Sequence, residues 1–121
     1  MLLILLAAAA SCANAQTQSQ MTQCAAQAYA SADAAMTRQW KVTQAAMKRL
    51  DARDTSRGGG FGYAAALLAS QRAWLAYRDR QCVIAAGEFA GGSMQPMAAA
   101  QCKERLTHAR TKELKALIWR R

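Results

Sequence analysis

The sequence is poor in the residues on which most catalytic centres depend. It has a single histidine, His108, and the spacing places no serine or cysteine beside it, so a nucleophile–base pair has no support. Glu104 lies four residues before His108, but two ligands without a third are far more typical of an exposed side-chain pair than of a metal site. The four cysteines match no zinc spacing. The sequence therefore predicts no enzyme, no metal site and no cofactor.

Proline, β-branched residues and acidic residues are also scarce. One proline in 121 residues and an alanine-rich composition favour helices over sheets, and the length is that of one domain, so we predict an all-α domain. The sequence has only seven acidic residues but sixteen lysines and arginines, which gives a formal net charge of +9. The basic residues expected to form a broad surface are Lys41, Lys48, Arg49, Arg53, Arg57, Lys112, Lys115, Arg120 and Arg121.

This positive charge restricts the choice of partner. Nucleic acid would match it, but no recognition motif accompanies the charge, so we expect no nucleic-acid partner. Anionic polymers or lipid headgroups of the cell envelope are the expected counter-charges. A basic surface that serves only solubility is the alternative interpretation.

The N-terminus predicts export. Residues 2–10 are an apolar run followed by small residues, which is typical of a secretory signal peptide and too short to span a bilayer. Cleavage just before Cys12 would give a signal peptide of residues 1–11 and a mature domain of residues 12–121, with four cysteines able to pair in an oxidising compartment. A cut at the small-x-small motif of residues 13–15 would remove Cys12, and a third interpretation makes Cys12 the acylated residue of a lipobox.

Three long helices are predicted for the mature domain. The first begins after Thr17, which opens a capping box, and runs to about residue 52. The glycine-rich residues 53–62 form a surface connection, and helices follow over about 63–89 and 94–119. Because the connections are short, the fold class is an up-down-up bundle of three long helices stapled by disulfides.

The second and third helices are predicted to form an antiparallel hairpin. Gly91 and Gly92 supply residues that end a helix, and Ser93 is a suitable N-cap for the next one. If the chain folds back about Gly92, Cys82 lies opposite Cys102 and a disulfide closes the hairpin. To within a residue or two, the same register places Trp74 near Arg110, Gln71 near Glu113, and Tyr77 near Thr107. The remaining cysteines, Cys12 and Cys24, then pair across the cap of the first helix.

Three charged residues of this hairpin, Arg78, Asp79 and Arg110, are the polar side chains expected to have a specific role. Both arginines are predicted near the face of Trp74, where cation-π contacts are available, and Asp79 is predicted to pair with Arg105. We interpret the three as locking the two helices together, with ligand binding as the alternative.

The same residues carry a resemblance to a known family. The hairpin pattern consists of Gln71, Trp74, Arg78, Asp79, Cys82, Gly91, Gly92, Ser93, Met94, Pro96, Cys102, Leu106, Thr107, Arg110, Glu113 and Leu114. The N-terminal pattern consists of Cys12, Gln16, Thr17, Gln18, Met21, Cys24 and Ala25, followed by Asp33. Together they resemble the small secreted bacterial domain named for the lysozyme inhibitor LprI. Where that family usually has Leu-Asn and then Tyr, this chain has Met36-Thr37 and Trp40.

The resemblance implies a secreted or periplasmic, non-catalytic binding protein whose family namesake inhibits lysozyme. Lysozyme or another cell-wall hydrolase is then the expected partner. Animal lysozymes are basic, so the positive net charge opposes association, and an inhibitor needs an anionic or apolar insertion group. Asp79 and Glu88 are the acidic candidates on the hairpin. The alternative function is a cell-envelope-associated structural or interaction module that binds anionic polymers through its basic surface.

Overall fold

Three helices make up the bundle in the computed structural model, which describes residues 12–54, 58 and 60–119. They are α1 (Gln18–Arg53), α2 (Tyr63–Ala86) and α3 (Gln95–Ala116), with a single 3₁₀ turn, Gly87–Phe89, after α2. No strand occurs within the described ranges. The predicted all-α fold is therefore confirmed. The predicted signal peptide and the basic residues Arg57, Arg120 and Arg121 lie outside the described residues.

The start of α1 follows the sequence prediction. Thr17 is the N-cap: its Oγ1 accepts a hydrogen bond from the Gln20 backbone N at 3.1 Å, and the Thr17 backbone N donates to Gln20 Oε1 at 3.3 Å. This reciprocal capping box satisfies N–H groups that the first helical turn leaves without partners. Cys12 and Cys24 flank this cap and form a disulfide. The predicted pairing of Cys12 with Cys24 is therefore confirmed.

The start of α2 is capped from another helix. Its N-cap residue, Gly62, provides no side chain, and the Asp51 carboxylate near the end of α1 instead accepts hydrogen bonds from Gly62, Tyr63 and Ala64 at 2.9, 2.9 and 3.0 Å. These bonds, with Ala64 contributing most, lower the pKa of Asp51 below its usual 3.8. The preceding loop approaches Asp51 so closely that a Cβ atom on Gly60 would lie 2.6 Å from the Asp51 carbonyl oxygen.

The turn between α2 and α3 differs from the prediction in one detail. Gly91 has a φ of +79°, as expected of a glycine turn, and its N–H donates to Gln95 Oε1 at 3.1 Å. Ser93, however, is not the N-cap of α3. The N-cap position is Met94, whose backbone is already helical and whose side chain makes no capping bond. Since Pro96 in the first turn has no N–H to satisfy, α3 begins without the serine cap that the sequence predicted.

The helices pack around a small apolar core, and α2 and α3 pair in the predicted register. Cys82 is bonded to Cys102, with 5.4 Å between the Cα atoms, so α2 and α3 are antiparallel as predicted. Thr43 on α1 is fully buried and donates from Oγ1 to the Leu114 carbonyl oxygen of α3 at 2.9 Å. The buried core cluster consists of Met36, Ala46, Met47, Leu67 and Leu114. This cluster therefore lies in the half of the bundle that has no disulfide.

Candidate functional site

Arg78 lies where the three helices meet, and only 6% of it is exposed. Its Nε donates to Asp79 Oδ1 at 3.0 Å. Its Nη1 donates to Asp33 Oδ1 on α1 at 3.3 Å and lies 3.4 Å from Thr107 Oγ1 on α3. The guanidinium carbon is 5.3 Å from the centre of the Tyr29 ring, whose pKa is raised by burial although Arg78 opposes that shift. Two carboxylates and an aromatic face thus compensate the burial of this cation.

Arg110 is the second buried arginine, with 7% of it exposed. Its Nε donates to Gln71 Oε1 at 2.9 Å, and its two terminal nitrogens donate to Ser70 Oγ at 3.0 Å and Glu113 Oε2 at 3.1 Å. Gln71 is itself 7% exposed and directs its Nε2 to the sulfur of Met36 at 3.7 Å. The Gln71–Arg110 bond therefore joins α2 to α3 inside the bundle.

Trp74 lies between the two arginines. The centre of its ring is 5.4 Å from the Arg78 guanidinium carbon and 5.8 Å from that of Arg110. We refer to the connected set as the polar seam: Asp33, Gln71, Trp74, Arg78, Thr107 and Arg110. Every deeply buried side-chain nitrogen and oxygen of the described residues has a hydrogen-bond partner, so the seam is satisfied internally. Arginines this deeply buried present little surface to a partner.

The predicted site residues are only partly brought together. Gln71, Trp74, Arg78 and Arg110 meet with Thr107 in the seam, and the predicted contact of Trp74 with Arg110 is present. Gly91, Gly92 and Ser93 lie apart from them, in the turn at the end of the hairpin.

Two further predicted pairs occur with the partner shifted along a helix, and one predicted ion pair is replaced by another. Gln71 binds Arg110 rather than Glu113, and Arg110 also binds Glu113, so that the predicted pair is joined through the arginine. Arg78 rather than Tyr77 reaches Thr107, and Tyr77 is 53% exposed. Asp79 pairs with its neighbour Arg78, and no ion pair joins it to Arg105 among the described residues.

The sequence predicts Asp33 in the first helix without a role in the site, and it does not predict a role for Tyr29 or Ser70. Asp33 supplies the carboxylate from α1 that pairs with Arg78, and its side chain remains 44% exposed. The signals for it in the sequence are its isolation among alanines and its place in the N-terminal family pattern. Because α1 is joined to α2 by a glycine-rich loop, the sequence fixes no register between Asp33 and the hairpin.

A groove between α1 and α2 opens beside the polar seam. Its volume is about 410 Å³, and its lining includes Met36, Thr37 and Trp40 from α1 and Leu75 from α2. Asp33 lies on its wall.

The end of the hairpin is a compact turn, residues 87–94, which we call the hairpin tip. Backbone hydrogen bonds close it from Ala90 N to the Gly87 oxygen at 3.1 Å and from Gly92 N to the Phe89 oxygen at 2.9 Å. Glu88 is exposed on this tip. The tip therefore presents an exposed carboxylate on a turn held by backbone hydrogen bonds. The Cys82–Cys102 disulfide joins the two helices that carry this turn.

The bundle can be divided at the level where the helices meet in the polar seam. The disulfide half comprises residues 12–35 and 77–108 and contains both disulfides and the hairpin tip. The basic half comprises residues 36–54, 60–76 and 109–119, with the core cluster and the Asp51 cap.

These halves differ sharply in charge. In the disulfide half the basic residues are Arg78, Arg80, Lys103 and Arg105, and the acidic residues are Asp33, Asp79, Glu88 and Glu104, so that their charges cancel. In the basic half the basic residues are Arg38, Lys41, Lys48, Arg49, Arg53, Arg72, Arg110, Lys112 and Lys115, and the acidic residues are Asp51, Asp54 and Glu113, which leaves a net charge of +6. Among the described residues, the whole charge excess is therefore in one half.

The described residues contain no cluster suited to a metal ion. No three His, Cys, Asp or Glu side chains converge there in a way that could hold a metal ion, and Glu104 lies 4.0 Å from His108 on the surface. None of the described helices is long and apolar enough to cross a membrane.

Comparison with known proteins gives a consistent result. The profile of the lysozyme inhibitor LprI family matches residues 8–114. An uncharacterized protein of Rhizobium meliloti (strain 1021) is 40% identical over 108 residues, which cover 88% of this chain and 78% of that protein. No solved structure matches the chain. On the length of the family match, and with the hairpin motif and both disulfides in place, the chain belongs to the lysozyme inhibitor LprI family.

Proposed function

We propose that this protein is a secreted or periplasmic, non-catalytic binding protein that inhibits lysozyme or a related cell-wall hydrolase. The family match over residues 8–114 carries this proposal. The two disulfides support it, because disulfides persist in the compartments where such hydrolases act.

Charge favours the disulfide half as the surface that meets the enzyme. Animal lysozymes are basic, so the basic half would repel them, whereas the described charges of the disulfide half cancel. Within that half, Glu88 is the exposed carboxylate on the hairpin tip. Asp79 is less suitable, because its carboxylate already accepts a hydrogen bond from Arg78.

The construction of the hairpin tip also suits an inhibitor. Binding costs less when the interacting segment is held in its bound conformation beforehand. Gly91 is fixed to the first turn of α3 by its bond to Gln95, and the Cys82–Cys102 disulfide closes the arms of the hairpin. We propose that the tip inserts Glu88 into the cationic surface of the enzyme.

The test is a lysozyme assay with two substrates, a soluble chitooligosaccharide and isolated cell walls. Inhibition of both is expected of the wild-type protein. Glu88→Lys should weaken inhibition by about tenfold or more, because a like charge facing a basic enzyme is repulsive. The matched control is Glu104→Lys, which makes the same charge change on α3 and should inhibit nearly as well. Failure of the wild-type protein to inhibit hydrolysis of the soluble substrate would contradict the proposal, and equal loss from both variants would contradict the role of the tip.

A further inference from the structure

The far end of the basic half combines two features that the proposed inhibitor function does not use. The first is cationic: Lys48, Arg49 and Arg53 are exposed on the last turns of α1, and Lys115 is exposed on the last turn of α3. The salt bridges within the described residues involve none of these four. Their charges are therefore directed to solvent.

Four of the seven acidic residues bind groups within the bundle. Asp33 and Asp79 bind the buried Arg78, and Glu113 binds the buried Arg110. Asp51 directs its carboxylate to the backbone at the start of α2. Of the acidic residues in the basic half, Asp51 and Glu113 are thus turned to internal partners, and Asp54, the C-cap of α1, is the one that lies beside the cations.

The second feature is aromatic and lies at the same end. Phe61 is 54% exposed and Trp119 is 46% exposed. Tyr63, which starts α2, lies between them, with its ring centre 4.6 Å from that of Phe61 and 5.9 Å from that of Trp119. Large exposed aromatic rings beside lysines and arginines are typical of proteins that rest on the surface of a bilayer, where ring faces enter the headgroup region and cations meet anionic lipids.

We propose that this end of the bundle is a peripheral docking surface for an anionic lipid bilayer, with the cations meeting lipid phosphates and the rings of Phe61 and Trp119 entering the headgroup layer. A soluble anionic polymer would need only the cations. The exposed aromatic rings favour lipid as the occupant, because they gain from leaving water at a lipid interface.

The experiment is co-sedimentation of the full chain with vesicles of equal parts phosphatidylglycerol and phosphatidylcholine, compared with vesicles of phosphatidylcholine alone. Binding is expected only to the anionic vesicles, and it should weaken as salt is added. The double variant Lys48→Glu/Arg49→Glu should lose at least about tenfold in affinity, since each basic residue contributes to attraction near the surface. Its matched control is Arg80→Glu/Arg105→Glu, which changes the net charge equally in the disulfide half and should retain most of the binding.

A further variant distinguishes a lipid bilayer from a soluble anionic polymer as the binding partner. Trp119→Ala should weaken binding to the anionic vesicles but leave binding to soluble polyphosphate, measured by filter retention, unchanged. Equal losses from the two charge-reversal pairs would overturn the localisation to this end. Undiminished vesicle binding by Trp119→Ala, or binding of the wild-type chain to polyphosphate but not to vesicles, would overturn lipid as the occupant.

Discussion

The hydrogen bond between Gln71 and Arg110 offers a sharp test of how the polar seam stabilises the bundle. Both residues are 7% exposed, and the bond between Arg110 Nε and Gln71 Oε1 is 2.9 Å long. Arg110→Met would leave the Gln71 oxygen buried without its donor. Gln71→Leu would leave a buried guanidinium nitrogen without its acceptor.

The expected magnitudes follow from this burial. A buried polar atom that loses its partner costs about 1–3 kcal/mol, and more when the atom is charged, so each single variant should lower the free energy of unfolding by about 2–4 kcal/mol. The double variant Gln71→Leu/Arg110→Met removes both polar groups, so it should cost no more than one single variant rather than the sum of the two. The coupling energy of the pair should therefore be at least about 2 kcal/mol, a large fraction of the stability of a domain of this size.

The assay is urea unfolding at neutral pH with both disulfides intact, followed by helical circular dichroism for the wild type, the two single variants and the double variant. A second cycle on Arg110 and Glu113 is the control: Glu113 is 59% exposed, so that this ion pair should couple by less than about 1 kcal/mol. Additive effects in the Gln71–Arg110 cycle would refute the argument, as would a coupling no larger than in the control.

Three further predictions concern the staples and caps. Replacing Cys82 and Cys102 by alanine should remove about 3 kcal/mol of stability, the value for a closed loop of about this length, and thermal unfolding measures it. The hydrogen bonds that Asp51 accepts lower its pKa in the folded state, so the cap stabilises the fold above the ordinary carboxyl pKa. This stability is lost as the pH falls through the folded-state pKa. The acid-unfolding profile of Asp51→Asn should lack this component. Gly60→Ala should cost about 1–3 kcal/mol, because Gly60 has a φ of +89° and no space for a Cβ atom, whereas Gly58→Ala, with open space around it, should be nearly neutral in the same melts.

The hairpin was the part of the fold that the sequence predicted best. A glycine turn and two cysteines equidistant from Gly92 define one antiparallel register, and the Cys82–Cys102 bond confirms it. The contacts between individual side chains were less predictable. Adjacent positions on a helix differ by about 100° in direction, so assigning Thr107 to Tyr77 instead of Arg78 selected a side chain that points into solvent.

The contribution of α1 could not be predicted, for a different reason. The position of Asp33 beside Arg78 depends on how α1 slides and rotates against the hairpin, and the loop between α1 and α2 fixes neither quantity. The cap that Asp51 provides for α2 could not be predicted for the same reason. Nothing in the sequence indicates that a carboxylate at the end of one helix will meet the start of another. The separation of charge into two halves becomes visible only when both registers are known.

The two proposed surfaces lie at opposite ends of the molecule, and this makes the proposals separable. With 36 residues, α1 alone is about 54 Å long, so a bundle resting on a bilayer through the end of its basic half would hold the hairpin tip well away from the lipid. Glu88→Lys should then lose lysozyme inhibition but sediment with anionic vesicles as the wild type does. Lys48→Glu/Arg49→Glu should bind anionic vesicles weakly but should still inhibit lysozyme when the substrate is a soluble oligosaccharide. If either variant, shown to be folded by circular dichroism, lost both activities together, the assignment of the two functions to opposite ends would be wrong.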